Sequence, residues 1–104
     1  AELIDKINEI LLKNISDPNY SIADLAAACG YSQKQLGKIV KHKTGLTMVK
    51  LILEIRLLKA YDLIISNKYP TIMEVIYAVG LTSRSYFNKK FTNRFGIKPN
   101  DVTK

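Results

Sequence analysis

The chain has 104 residues, 47% of them hydrophobic and 24% charged, which excludes a disordered segment and leaves room for one domain or two very small ones. Its net charge of +7 makes an acidic partner the first expectation, nucleic acid ahead of an anionic membrane. The one cysteine, Cys29, excludes an intramolecular disulfide framework and a cysteine-based zinc site and suits a reducing cytoplasm, and no run of about 18 apolar residues exists to span a membrane.

The first residues carry no signal-peptide pattern, and the start at Ala1 without Met fits a piece of a longer protein. Residues 2–14 are helical in pattern. Leu3, Ile7, Ile10 and Leu11 line one face with Ile4 and Leu12 beside it, while Asp5, Asn8 and Glu9 lie opposite or at the margin. Acids lead and Lys13 trails, as the helix dipole favours. Ser16-Asp17-Pro18-Asn19 reads as a loop. Ser21 then caps a short helix over 22–29, with Asp24 three residues on as in a capping box. Ala26, Ala27 and Ala28 are small enough for another helix to approach closely. Gly30 permits a sharp turn. Ser32 caps the next helix, from 33 to about 43, which closes at Gly45. Helix, short turn with glycine, helix is the helix-turn-helix pattern.

Residues 47–67 read as one long helix, capped by Thr47 and free of Gly and Pro. At about 100° per residue, Lys50 and Glu54 share one polar face early in it. Lys59, Asp62 and Ser66 share another, rotated by roughly 120–140°. A helix packed on one body keeps one apolar stripe. A rotating stripe is more simply explained by two bodies, one at each end. The expected division is therefore residues 1–46 as an N-terminal helix with a first helix-turn-helix lobe, 47–67 as a linker helix, and 68–104 as a second lobe.

The second lobe repeats the first. Lys68-Tyr69-Pro70 is a break, Thr71 caps a helix over 72–79, Gly80 makes the turn, and Thr82 or Ser83 caps a helix to residue 95, closed by Gly96. Ser21, Ile22, Leu25, Gly30 and Ser32 match Thr71, Ile72, Val75, Gly80 and Thr82 at an offset of 50, and Leu36, Val40, Gly45 and Leu46 match Phe87, Phe91, Gly96 and Ile97 at 51. One extra residue is thus expected early in the last long helix. Residues 99–102 add a final helical turn. No alternating run is bracketed by hairpin turns, so the fold class is all-α, with about seven helices.

No Asp or Glu occurs from Lys34 to Leu53, and none from Val75 until after Asn100. Each acid-free window contains the second helix of one repeat. In the first, Leu36, Ile39 and Val40 form the buried side, and Lys34, Lys38 and Lys41 point away. In the second, Phe87, Phe91 and Phe95 are buried. Ser85 and Lys89 point away, with Asn93 on the same side and Arg84 at the helix start. A phosphate-lined groove requires cations on the exposed face and no carboxylates there. Lys reaches guanine O6 and N7, and Asn or Gln pairs with adenine. About 19 residues of linker helix span roughly 28 Å, against about 34 Å for one turn of B-DNA. Two recognition helices in successive major-groove segments are the expectation.

These residues resemble a known family. Ser21-Ile22-Ala23-Asp24-Leu25-Ala26 with Cys29-Gly30-Tyr31-Ser32, Leu36 and Thr44-Gly45 is similar to the first half of the AraC/XylS-type DNA-binding domain. Arg56, Ala60 and Leu63 resemble its linker-helix signature. Ile72, Glu74, Val75, Ala78, Val79, Gly80, Ser85-Tyr86-Phe87, Phe91, Phe95-Gly96-Ile97 and Pro99 resemble its second-half signature, the more specific of the two. The resemblance covers about residues 16–102. It implies a bacterial transcription regulator with two helix-turn-helix units joined by a helix, and a separate sensing or dimerising domain elsewhere in the full-length protein; double-stranded DNA is the expected partner, with RNA polymerase as a further one. It places base-reading positions on Lys34, Gly37 and Lys38, and on Ser85 and Lys89, with Asn88 at a backbone-contacting position. Lys41 and Arg84 join the groove-facing set, and Ser32 and Asn93 join Asn88 at the DNA backbone. Four positions depart from the family pattern: Gly37 has no side chain to read a base, Ile76 stands where Ala is common, Leu81 where Phe is common, and Val102-Thr103 where Tyr-Arg often ends the domain.

Other residues read as structural. Cys29 is expected as a buried thiol, and Met48 and Met73 as packing. His42 lacks a Cys or second His at ligand spacing, so no metal is expected, and no cofactor either. Arg56 is expected in a salt bridge with Glu54, Asp62 or Glu74. The six tyrosines are too scattered for a base-stacking platform. No catalytic triad, phosphate-binding glycine loop or paired carboxylate points to an enzyme. The alternative to DNA binding is a helical interaction module docking an acidic partner such as RNA polymerase. The expected location is the cytoplasm.

Overall fold

The computed structural model describes residues 2–102. Within them the chain forms six α-helices and one 3-10 turn, with no strand: α1 (Glu2–Lys13), α2 (Ile22–Cys29), α3 (Gln33–Thr44), α4 (Met48–Ile65), α5 (Ile72–Ala78), α6 (Arg84–Phe95) and a turn over Pro99–Asp101. Thr103 of the terminal Val102-Thr103 pair lies outside the described residues, as do Ala1 and Lys104. Two compact units are present, and their boundary falls inside α4. One holds residues up to Ile15 with Asn19–Ile55; the other holds Ser16–Pro18 with the chain from Arg56 onward.

Local chemistry sets the helix ends. The Ser21 hydroxyl accepts from the Asp24 N–H and the Asp24 carboxylate accepts from the Ser21 N–H, both at 3.0 Å. The same reciprocal box joins Ser32 to Gln35 and Thr71 to Glu74. These pairs satisfy N–H groups that the first turn leaves without intrahelical partners. The turn after α2 and the turn after α5 are built alike. Gly30 and Gly80 sit at φ 80° and 79°. Beyond them the Tyr31 N–H reaches the Ala26 carbonyl at 2.9 Å, and the Leu81 N–H reaches the Ile76 carbonyl at 3.0 Å. This closure requires a left-handed residue, which only glycine adopts without steric cost.

The repeat needs one correction. Ser83, not Thr82, caps α6, with the Tyr86 N–H donating to its hydroxyl at 3.2 Å. Ser83 is therefore the counterpart of Ser32. The extra residue lies in the turn before α6 and not early within the helix, because a turn absorbs an insertion without shifting the helical register.

In the first unit Ile7 and Leu11 of α1, Leu25, Ala26 and Cys29 of α2, and Leu36 and Val40 of α3 form one buried cluster with Met48, Leu51 and Ile55 of α4. Ala27 and Ala28 are exposed, contrary to the small-residue contact expected of them. Burial on α2 falls on Leu25, Ala26 and Cys29, and their face leaves the next two alanines to solvent. In the second unit the buried set is Leu57, Ala60, Leu63, Ile64, Val75, Ile76, Val79, Phe87 and Phe91. Phe91 stacks on Tyr61 at 5.9 Å, and Phe95, half-buried, closes over both rings at 4.7 and 4.8 Å.

Along α4 the buried positions move round the helix. Met48, Leu51 and Ile55 share one direction, and Arg56, Leu57, Ala60, Leu63 and Ile64 another. The two means differ by roughly 150° at about 100° per residue. Thr47 caps the helix by accepting from the Lys50 N–H at 3.3 Å. The helix ends at Ile65, and the turn after it places Asn67 at a φ of 55°, which Asn tolerates better than most side chains.

Candidate nucleic-acid interface

α3 and α6 are both 12-residue helices that follow a glycine turn and begin at a serine cap. Neither has an acid in its first turn, whereas α2 and α5 carry Asp24 and Glu74 there. The partial positive charge of these two N-termini is thus left for an outside anion. Basic residues follow in the last turns: Lys41, His42 and Lys43 on α3 and Arg94 on α6.

On α3, Leu36 and Val40 are fully buried and turn the opposite face outward. Lys34, Lys38 and Lys41 are all exposed on it. Lys41 folds back, and its ammonium donates to the Gly45 carbonyl at 2.8 Å. Ser32 is exposed, but its hydroxyl oxygen is occupied by the Gln35 N–H at 3.1 Å. Gly37 is half-buried, and a Cβ built on it meets nothing within 4 Å. It opens instead onto a hollow of about 470 Å³ with a mostly apolar surface, lined by Ile22, Met48 and Val49 together with Gln33, Lys34, Lys41 and Thr47.

On α6, Phe87 and Phe91 are fully buried, and Arg84, Ser85, Lys89 and Asn93 are exposed. Asn88 is half-buried. The Ser85 hydroxyl lies 3.3 Å from that of Ser83, so the cap and the adjacent position share a hydrogen bond. Arg84 also borders a cleft of about 550 Å³ shared with Tyr69, Thr71 and Asn100. One feature of this face escaped the sequence reading: Lys90 lies over the exposed Tyr86 ring at 5.7 Å. The signal was the spacing of four between an aromatic and a cation on one helix.

Arg56 is the buried charge of the second unit, 5% exposed. It was expected to face Glu54, Asp62 or Glu74. Its guanidinium donates to the Val79 carbonyl at 2.5 Å and the Asp17 carbonyl at 3.4 Å. Burial pulls its pKa below the ordinary arginine value, and the charge of Asp17 opposes that shift. The Glu74 carboxylate is engaged at the α5 cap, where it accepts from the Thr71 N–H at 3.0 Å. Cys29 is a buried free thiol, as expected.

Among the described residues no cluster of three His, Cys, Asp or Glu side chains is placed to hold a metal ion, and no helix is long and apolar enough to cross a membrane.

Comparison with known proteins agrees with this geometry. A family model described as a helix-turn-helix domain matches residues 25–104. The transcriptional activator RhrA of Rhizobium meliloti is 32% identical over 91 residues, which is 86% of this chain and 29% of that protein. Histidine kinase P4 of Formosa agariphila is 31% identical over 98 residues, 94% of this chain and 7% of that protein. The chain therefore spans less than a third of either relative. Among solved structures, a transcriptional regulator of Chromobacterium violaceum with an AraC-type DNA-binding domain superposes with a TM-score of 0.87 at 27% identity, covering 98% of this chain and 89% of that one.

Proposed function

The chain belongs to the AraC/XylS-type helix-turn-helix family, and from that membership we propose that it binds double-stranded DNA sequence-specifically as part of a bacterial transcription regulator. The domain is a helix-turn-helix module and not an enzyme. The observation that carries the reading is the pair of acid-free helices, α3 and α6, each with exposed cations on the face opposite its buried residues. Lys34, Lys38 and Lys41 on α3, and Arg84, Ser85 and Lys89 on α6, enter the major groove. Gly37 lies in the same face and contributes backbone and space. Ser32, Asn88 and Asn93 meet the phosphodiester backbone, as do the helix N-termini. The division of labour is residues 1–46 and 68–104 as the two reading lobes, with 47–67 as the linker.

The partners that follow are duplex DNA, RNA polymerase, and a sensing or dimerising domain elsewhere in the full-length protein. The cytoplasm is the compartment that holds them. The relatives support this reading: the matched segment is a small part of a transcriptional activator in one case and of a histidine kinase in the other.

Titration of a labelled duplex at rising salt tests the proposal. Six or more phosphate contacts predict a fall in affinity of about a thousand-fold or more between 50 and 200 mM salt. Flat salt dependence, or no binding at low salt, overturns it. With both lobes engaged, a footprint covers about two helical turns, roughly 20 base pairs. A footprint of one turn restricts binding to one lobe.

A further inference from the structure

The hollow beside Gly37 is chemically unlike the rest of the α3 face. That face is cationic, through Lys34, Lys38 and Lys41. The surface of the hollow is mostly apolar, with Ile22, Met48 and Val49 among its walls beside Gln33 and Thr47, and Gly37 sits on it where another residue would project a side chain. Val49 is 63% exposed at the start of α4, the most exposed of the chain's large hydrophobic side chains among the described residues. Apolar surface held open within a basic face has to meet something that is apolar where it touches and anionic around it.

In the major groove one base edge fits that description. Guanine, adenine and cytosine present hydrogen-bonding groups, and thymine adds a C5 methyl. Polar atoms of Gln33, Lys34, Lys41 and Thr47 make up little of the hollow's surface, so a donor or acceptor pressed against its apolar part loses water without a full replacement. A methyl group loses nothing there, and the flanking phosphates lie toward the lysines. We propose that the hollow bounded by Gly37, Val49, Met48 and Ile22 is a thymine-methyl reader, so that the first lobe recognises a thymine by apolar fit at a position where Gly37 makes no side-chain hydrogen bond. The proposal rests on the duplex-DNA reading above and specifies what α3 selects.

The test begins with a site selected from random duplexes by the whole chain. Each thymine in it is then replaced singly by deoxyuridine, which removes only the methyl group. Burying one methyl is worth about a three- to five-fold change in affinity. The expected result is a loss of that size at one thymine, on the side protected by α3. In Val49→Ser, which opens the apolar wall at an exposed position, thymine and uracil at that position bind equally. A thermal melt of the variant confirms that it is folded. A selected site that binds tightly yet shows no uracil effect overturns the inference and leaves DNA binding standing. So does a uracil effect that persists unchanged in Val49→Ser, or an α3 half-site without thymine. Absence of duplex binding at low salt overturns both readings.

Discussion

Arg56 Nη1 donates a hydrogen bond to the carbonyl oxygen of Val79, 2.5 Å away and 23 residues along the chain. Val79 is the residue at which α5 ends. A cation at a helix C-terminus meets carbonyls that have no intrahelical donor and carry the negative end of the dipole. The same guanidinium reaches the Asp17 carbonyl. One side chain therefore anchors a helix end and a loop in the second unit.

Arg56→Met keeps much of the apolar stem and removes the donors. It is expected to destabilise the chain by about 1.5–3 kcal/mol, the range for a hydrogen bond to a charged group. Arg56→Lys falls between, because one ammonium lacks the planar fork that spans two acceptors. Urea midpoints of the three proteins at neutral pH measure this. A loss under about 0.5 kcal/mol in Arg56→Met, the scatter of ordinary surface substitutions, would show that the carbonyls find other donors.

Acid should weaken the start of α2. Hydrogen bonds from the Ser21 backbone and side chain hold the Asp24 carboxyl below its ordinary value of 3.8. The folded state thus favours the ionised form. Its contribution is complete above pH 3.8 and is lost as pH falls through the lower folded value. Thermal midpoints of the natural chain and of Asp24→Asn, followed from about pH 5 to pH 2.5, should converge as acid is added. Parallel curves would remove Asp24 from the account.

Gly37 occupies the interior of α3 without a left-handed φ, and an added Cβ meets nothing within 4 Å. Gly37→Ala is expected to stabilise by about 0.5–1 kcal/mol through the lower entropy cost of ordering the helix. Chemical denaturation checks the sign. Gly37→Gln adds an amide that can pair with adenine, and site selection with this variant should recover a new adenine preference in the first half-site.

Lys89 is exposed on α6, and Phe87 and Phe91 are fully buried. Lys89→Ala is expected to weaken binding to a selected site by about 1–3 kcal/mol and to random duplex by less. Equal losses on both would assign Lys89 to phosphate alone. Stability should hardly change, since no core contact is removed.

Much of the interface was legible in the sequence because its signals are short-range. The serine cap at 32, the acid-free windows and the three- and four-residue spacing of Lys34, Lys38 and Lys41 all lie within a turn or two of helix. The paired signature also carried the family. The hollow at Gly37 was not legible, because Ile22 and Val49 lie far from it in sequence and only packing assembles them into one wall. The return of the Lys41 ammonium to the Gly45 carbonyl depends on a rotamer, which composition does not specify.

The sequence by itself determined which segments are helices, most of their caps, and that the second lobe repeats the first. Capping boxes, glycine turns and apolar periodicity act between residues at most a few positions apart, so their energies are written locally. Tertiary structure alone decided which carbonyls Arg56 satisfies, which alanines of α2 meet a neighbour, and that the inserted residue sits in the turn before α6. The first two depend on groups brought together across the chain, where burial and desolvation choose among partners, and the third on a cap that the local sequence leaves open between Thr82 and Ser83.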